Sequence, residues 1–414
     1  MIINFQDYVK KIKEIKSKAK TDLKYYNFMS VLYSGICYKE GDSDGLTEDE
    51  FLALCYCKRT CNYVDLDTIQ GCLIGGAIGD ALGFPVEFFE DYIIFENFGE
   101  NGITELQTSD GVALVSDDTQ MTLFTADGLI SATKKFSKPT ADNYLQSIYE
   151  SYLNWLCTQD SFFSLDENVR KSELLKIKEL YSQRAPGHTC LNALRSGEYG
   201  TLDCKINDSK GCGGIMRVAP ISLYLSQIKE FEEEDIALLT ARTVALTHGH
   251  ALGYIPSAYL SCLLHYILKG NTISIAIAKT DGVIRKVFPN LEETEICLSL
   301  VEKAEKLAFL GKDDETDELD DLEAIRMLGE GWVAEETLAI AIYCSLKYCD
   351  DFEKAIIASV NHSGDSDSTG AVTGNIMGAY LGLKNIPKKM VDVIELKDLM
   401  LYLAEKMQLN KLDK

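Results

Sequence analysis

Along most of the chain apolar residues recur at three- and four-residue intervals. That spacing predicts amphipathic helices over residues 120–136, 234–246, 257–268 and 337–348. Alternating apolar and polar positions, the mark of a half-buried strand, are scarce. With only 7 prolines and few hairpin signals, the pattern reads as an all-α fold rather than an α/β one. The first 66 residues have a different character: a Lys-rich helical stretch at 8–24, a polar turn at 40–45, then a segment at 48–61. The chain therefore divides into an N-terminal helical extension, residues 1–66, with no assigned role, and a main domain, residues 67–414. The acidic run at 312–323 reads as a solvated loop or helix end.

Two glycine series interrupt the apolar helices at four-residue intervals, one at Gly71, Gly75, Gly79 and Gly83 and the other at Gly370, Gly374, Gly378 and Gly382. An interior glycine costs a helix roughly 1 kcal/mol relative to alanine. Two such ridges make sense where backbones must approach closely, so they predict a pair of tightly packed central helices. The first helix would deliver Asp80 and, once Pro85 ends it, Glu87 on a loop. The second would begin just after Asp365 and Asp367.

Both helix starts are acidic. Ser116, Asp117 and Asp118 precede one, and a helix N-terminus favours carboxylates through its dipole and free N–H groups. Capping explains this motif as well as metal binding does, since Asp117 and Gln120 have the spacing of a capping box. The second cluster, Gly364 to Thr369, again sets Asp365 and Asp367 beside the hydroxyls of Ser366, Ser368 and Thr369. Four aspartates gathered at two helix starts repel one another unless a cation joins them. Their hard oxygens suit Mg²⁺, Mn²⁺ or Ca²⁺ rather than Zn²⁺. Two ions fit such a set, with Asp367 as the natural bridge. A glycine turn at Gly211, Cys212, Gly213 and Gly214 could bring backbone N–H groups close to a pyrophosphate, although read alone the segment favours a plain turn, since it matches neither the P-loop nor the dinucleotide fingerprint. His248 and His250 read as helix cap, packing residue or catalytic acid or base. His362 reads as a hydrogen-bonding brace for the Asp365 loop and not as a ligand.

Composition narrows the partners. A net charge of −23 over 414 residues argues against a groove that tracks nucleic-acid phosphates, so a phosphate-bearing ligand needs local positive charge. No apolar run reaches the roughly 18 uninterrupted residues of a membrane helix, and the first 20 residues lack a secretory apolar stretch. The expectation is a soluble, cytoplasmic protein without membrane contact. Thirteen scattered cysteines point to reduced thiols. Cys55, Cys57 and Cys61 lack a fourth ligand at a zinc spacing, and the turn with Asp42 and Asp44 has Thr47 where a calcium loop needs glycine.

Taken in order, GAIGDALGFPVEF (76–88), SDDTQMT (116–122), GCGGIMRVAPI (211–221), THGH (247–250), GEGWVAEETLAIAI (329–342) and NHSGDSDSTGAVTGNIMGA (361–379) resemble the ADP-ribosylglycohydrolase family, which includes the dinitrogenase reductase-activating glycohydrolases. The similarity spans about residues 67–383. The resemblance implies a compact multi-helix fold with a binuclear Mg²⁺ or Mn²⁺ centre at the bottom of an ADP-ribose cleft. It implies Ser116, Asp117, Asp118, Asp365, Asp367 and Ser368 as metal ligands, Glu87 as the mobile acidic residue beside them, residues 211–214 as the diphosphate loop, and His248 lining the cleft. Serine stands in both metal motifs where the family often has threonine, which keeps the hydroxyl. The implied activity is release of ADP-ribose from a modified protein or small molecule, with nucleic acid relevant only as an ADP-ribosylated acceptor. Two rival readings stand beside it: a two-metal phosphohydrolase, and a reader or crystallin-like structural protein without turnover.

Overall fold

The three- and four-residue periodicity becomes helices. The computed structural model describes residues 2–19, 47–60, 62–310 and 319–413, and helices hold nearly all of their regular structure. The strands described are two short pairs: β1 (Ile2–Asn4) lies parallel to β4 (Lys411–Asp413), and β2 (Thr108–Ser109) runs antiparallel to β3 (Val112–Ala113). The first two helices, α1 (Phe5–Ala19) and α2 (Glu48–Thr60), bury Phe5, Val9, Ile12 and Ile15 against Leu52, Ala53, Cys55 and Cys57 in an apolar cluster of their own. The polar turn at 40–45, disfavoured as a calcium loop, lies outside the described residues. So does Cys61, the third of the cysteines disfavoured as a zinc clip, and so do residues 20–24 of the predicted first helix.

All four predicted helical runs are present, each starting earlier than the apolar pattern does. They are α4 (Asp117–Lys135), α6 (Glu233–Ala245), α7 (Ala251–Leu268) and α8 (Ala334–Lys347), with α5 (Ala141–Gln159) between the first two. In α4, α6 and α8 the early starts have a physical cause: acidic residues fill the first turns, where the helix dipole favours them, so apolar periodicity begins only after them; α7 opens on apolar Ala251 and Leu252 instead. At the acidic run, Asp320 precedes the helix Asp321–Leu328, while residues 312–318 lie outside the described residues.

The glycine ridges meet as predicted. Helix α3 (Leu66–Gly83) lies against α9 (Ser366–Leu381) so closely that a Cβ on Gly75 would stand 2.4 Å from the carbonyl of Gly374, and one on Gly79 would stand 1.9 Å from that of Gly370. Asn375 Nδ2 clasps the pair by donating to Cys72 O at 2.9 Å. One expectation needs correction. Gly382 is not a ridge residue but the end of α9, at φ 81°, and Gly83 instead abuts Ser366. Two apolar stretches, Leu66–Val86 and Ala251–Leu268, have the length and composition of membrane spans, yet they are 83% and 94% buried inside the protein as core helices.

Candidate active site

Because α3 and α9 touch along their backbones, the C-terminal end of one lies beside the N-terminal end of the other. Asp80, on the last turns of α3 and fully buried, reaches the start of α4. It accepts from Ser116 N at 2.9 Å, Thr119 N at 3.1 Å and Thr119 Oγ1 at 2.5 Å. Ser116 Oγ then accepts from Asp118 N at 3.2 Å as the N-cap. With these orphan N–H groups answered, Asp117 and Asp118 are free of capping duty. The Asp117–Gln120 capping box does not form: Gln120 donates to Ser182 O and accepts from Trp155 and Gln159, while Asp117 accepts from Gly187 N at 3.1 Å.

The second acidic start is built differently. Asp365 is itself the N-cap of α9, accepting from Ser368 N at 3.2 Å, and its backbone N–H donates to Glu330 O at 2.8 Å. Asp367 lies within the first turn instead of before it and accepts from Ser368 N at 2.9 Å. Gly364 permits the bend at φ 124°, and any Cβ there would strike Glu330 O at 2.0 Å. His362 braces the loop as expected, bonding Ser363 O, Ser359 O and Thr369 Oγ1.

Glu87 follows the short 3-10 turn Phe84–Val86 that contains Pro85. It joins Asp80, Asp117, Asp118, Asp365 and Asp367 as a sixth buried carboxylate. Burial first, then the charges of Asp365, Asp117 and Asp80, push Glu87 up to about 9. Burial and then neighbouring carboxylates likewise raise Asp118 and Asp367. Asp117 is raised to about 8, chiefly by burial, against a hydrogen bond from Gly187 that lowers it. Asp80 rises only to about 6, because its hydrogen bonds to Thr119 and Ser116 offset its burial. Glu87 Oε2 and Asp118 Oδ2 are buried without a hydrogen-bond partner among the described residues.

The glycine turn lies alongside. Gly211 pairs with Val333, Cys212 N donates to Trp332 O at 3.1 Å, and Cys212 Sγ donates to Asp365 Oδ2 at 2.7 Å. A Cβ on Gly213 would stand 3.2 Å from His248 Cε1, and one on Gly214 would stand 2.5 Å from Val244, so packing alone demands part of this glycine content. His248 is buried here, whereas His250 proves to be the N-cap of α7, accepting from Leu252 N at 3.0 Å. At the rim, exposed Phe88 stacks on Trp332 with ring centroids 5.8 Å apart.

Several contributors escaped sequence reasoning. The sequence places Asp80 on its helix but does not disclose that it brackets α4. Arg184, paired with Glu395 at 2.8 Å, donates to Val115 O and so holds the segment before Ser116. Arg217 is fully buried beneath the glycine turn. Its only sequence signal is its place at the end of the turn.

The site thus gathers every predicted ligand residue into one acidic region. Among the described residues no three His, Cys, Asp or Glu side chains are already arranged as a metal-holding group. The chemistry of the donors nonetheless fits a hard divalent cation: crowded carboxylates and serine hydroxyls, two orphaned carboxylate oxygens, and burial followed by mutual charge raising the pKa of Glu87, Asp117, Asp118 and Asp367.

Comparison with known proteins identifies relatives of the chain. The sequence profile of one family, described as ADP-ribosylglycohydrolase, matches residues 63–413. ADP-ribosylhydrolase ARH3 of Bos taurus is 28% identical over 201 residues, 44% of this chain and 52% of the relative, so the chain spans about half the length of that protein. ADP-ribosylarginine hydrolase Tri1 of Serratia proteamaculans is 25% identical over 351 residues, covering 83% of this chain and 79% of the relative. Among solved structures, an ADP-ribosylglycohydrolase-related protein complex shares the fold with a TM-score of 0.56 at 23% identity, over 83% of this chain and 97% of that one.

Proposed function

The chain belongs to the ADP-ribosylglycohydrolase family, and from that premise we propose that it hydrolyses the glycosidic bond between ADP-ribose and a modified acceptor, with two Mg²⁺ or Mn²⁺ ions as cofactors. One observation carries the reading: six buried carboxylates from three separate stretches of chain crowd together with two of their oxygens unpartnered, beside a glycine turn. Burying so many like charges without a cation would be strongly unfavourable.

Ser116, Asp117, Asp118, Asp365, Asp367 and Ser368 would hold the ions, with Asp367 as the shared carboxylate. Bound cations supply Lewis acidity, lower the pKa of water and offset the negative field near a diphosphate. The chain's own groups do the rest. Cleavage at the anomeric carbon passes through an oxocarbenium-like state, which neighbouring carboxylates stabilise. Asp80 holds the α4 start in register through its bonds to Ser116 and Thr119. Glu87, buried at the turn after α3 with a free Oε2, is the group placed to take or relay the proton that hydrolysis must move. The amides of Gly211 and Cys212 already donate to Ser209 Oγ and Trp332 O, and that of Gly214 opens the 3-10 turn, so the diphosphate contacts fall to Gly213 and the nearby His248.

The test is incubation with an ADP-ribosylated peptide and Mg²⁺. Free ADP-ribose is the expected product. AMP would replace this reading with a two-metal phosphohydrolase, and binding without product would replace it with an ADP-ribose reader. The name of Tri1 makes ADP-ribosylarginine the first acceptor to try.

A further inference from the structure

A cation buried without an anion needs a reason. Arg217 is fully enclosed, and among the described residues no carboxylate bonds its guanidinium. Nη1 faces Met121 Sδ at 3.2 Å and Cys190 Sγ at 3.3 Å, the group lies 4.5 Å over the Tyr152 ring, and Nε has no partner. The short contact is to a hydroxyl: Nη2 donates to Thr247 Oγ1 at 2.5 Å.

That contact constrains the next one. A guanidinium has donors and no acceptor, so Thr247 Oγ1 receives a hydrogen from Arg217 and must send its own elsewhere. Two acceptors lie within reach, Val244 O at 3.4 Å and His248 Nδ1 at 2.8 Å. Val244 O already accepts from Thr247 N at 3.0 Å and His248 N at 2.9 Å, which occupies both of its lone pairs. The hydroxyl hydrogen therefore goes to Nδ1. A neutral imidazole that accepts at Nδ1 carries its own hydrogen on Nε2. Burial and then the charge of Arg217 hold His248 down at about 3, so the ring is neutral at ordinary pH. Its Nε2 edge faces the glycine turn: a Cβ on Gly213 would stand 3.3 Å from Nε2 and one on Gly211 3.7 Å, and among the described residues nothing accepts from that nitrogen.

We propose that Arg217 and Thr247 are positioning residues that fix His248 in its Nε2–H tautomer, making the ring edge at the glycine turn a permanent hydrogen-bond donor to a phosphate oxygen of ADP-ribose. The opposite tautomer would present a lone pair to the same oxygen and repel it. The ligand half of this inference rests on the proposed function; the tautomer half stands on the protein alone.

The test uses the full chain labelled with ¹⁵N-histidine, with the His248 signals identified by their loss in His248→Asn. A long-range ¹H–¹⁵N correlation should show a pyridine-like Nδ1 and a pyrrole-like Nε2 in the wild type. Thr247→Val should move the ring toward the Nδ1–H form and weaken calorimetrically measured ADP-ribose binding roughly tenfold, the loss of about one hydrogen bond. Thr247→Ser, which restores the hydroxyl, should recover both. A wild-type Nδ1–H ring, or an unchanged tautomer in Thr247→Val, overturns the relay. Should the valine variant fail to fold, the wild-type tautomer still decides the point, since an Nδ1–H ring overturns the relay. A wild type with the expected tautomer but no affinity for ADP-ribose refutes the ligand assignment and the proposed function together, while the relay stands.

Discussion

In the proposed reaction Glu87 is the group that moves the proton. Burial, and then the charges around it, hold the proton on its carboxyl, and among the described residues Oε2 has no partner. Glu87→Gln keeps the shape and the hydrogen-bonding capacity but cannot move a proton, so single-turnover hydrolysis in saturating Mg²⁺ should fall roughly 10²–10⁴-fold. ADP-ribose affinity measured by titration should stay near wild type, and near-normal hydrolysis would remove Glu87 from the mechanism. A second residue tests the electrostatics away from the site. His265 is buried with Nδ1 at 2.8 Å from Ser226 Oγ, and burial, then Lys269 and Lys279, depress it to about 3. Because the folded pKa lies below the unfolded value of about 6.5, the neutral ring stabilises the fold above that pH, and this stability is lost as pH falls toward 3. Between pH 7 and pH 5 the loss from this residue alone should be about 2 kcal/mol. In urea unfolding at the two pH values, His265→Gln should show a correspondingly smaller drop than the wild type. Parallel pH profiles would mean that the ring is not held neutral.

At the scale of the helix, the two glycine ridges separate packing from propensity. Gly79→Ala places a methyl on the backbone of Gly370 and should cost about 3 kcal/mol or more, since neither backbone can yield alone. Gly282, inside the helix Ile273–Val287 with open space around its Cα, is the control, and Gly282→Ala should instead stabilise by about 1 kcal/mol. Chemical denaturation of the two variants measures both, and equal effects would show that the close approach of α3 and α9 is mistaken. This contrast also shows how much of the fold the sequence discloses. A glycine every fourth position on two apolar helices announces a backbone-to-backbone contact, and two acidic helix starts announce a cluster. The sequence does not disclose how each cap is satisfied. Asp80 answers N–H groups 36 residues away, leaving Asp117 and Asp118 available, and spacing along one helix cannot reveal a donor on another. Arg217 and Thr247 are hidden for the same reason, since their partnership exists only after the glycine turn and the turn that follows α6 have come together.

For the molecule as a whole, cation binding and folding should be linked. A ligand that binds only the folded state at 100 times its Kd adds about 2.7 kcal/mol of stability per site. Saturating Mg²⁺ or Mn²⁺ should therefore raise the melting temperature by several degrees over chelator-treated protein, and an unchanged melting curve would sink the proposed cation set. The central helix pair has a further consequence, in the timing of synthesis. Asn375 and its partner Cys72 are 303 residues apart, and the glycines that seat α3 against α9 are similarly distant. At about 5–20 residues per second, the first of these helices waits roughly 15–60 s for the second to be made. During that interval its apolar ridge, Asp80 and Glu87 have no native partner from α9. Ribosome-bound chains arrested before residue 366 should thus remain open to protease across residues 66–86, and protection should appear only when α9 has cleared the exit tunnel. If the nascent chain is shielded during that wait, α3 is the expected attachment point for a chaperone.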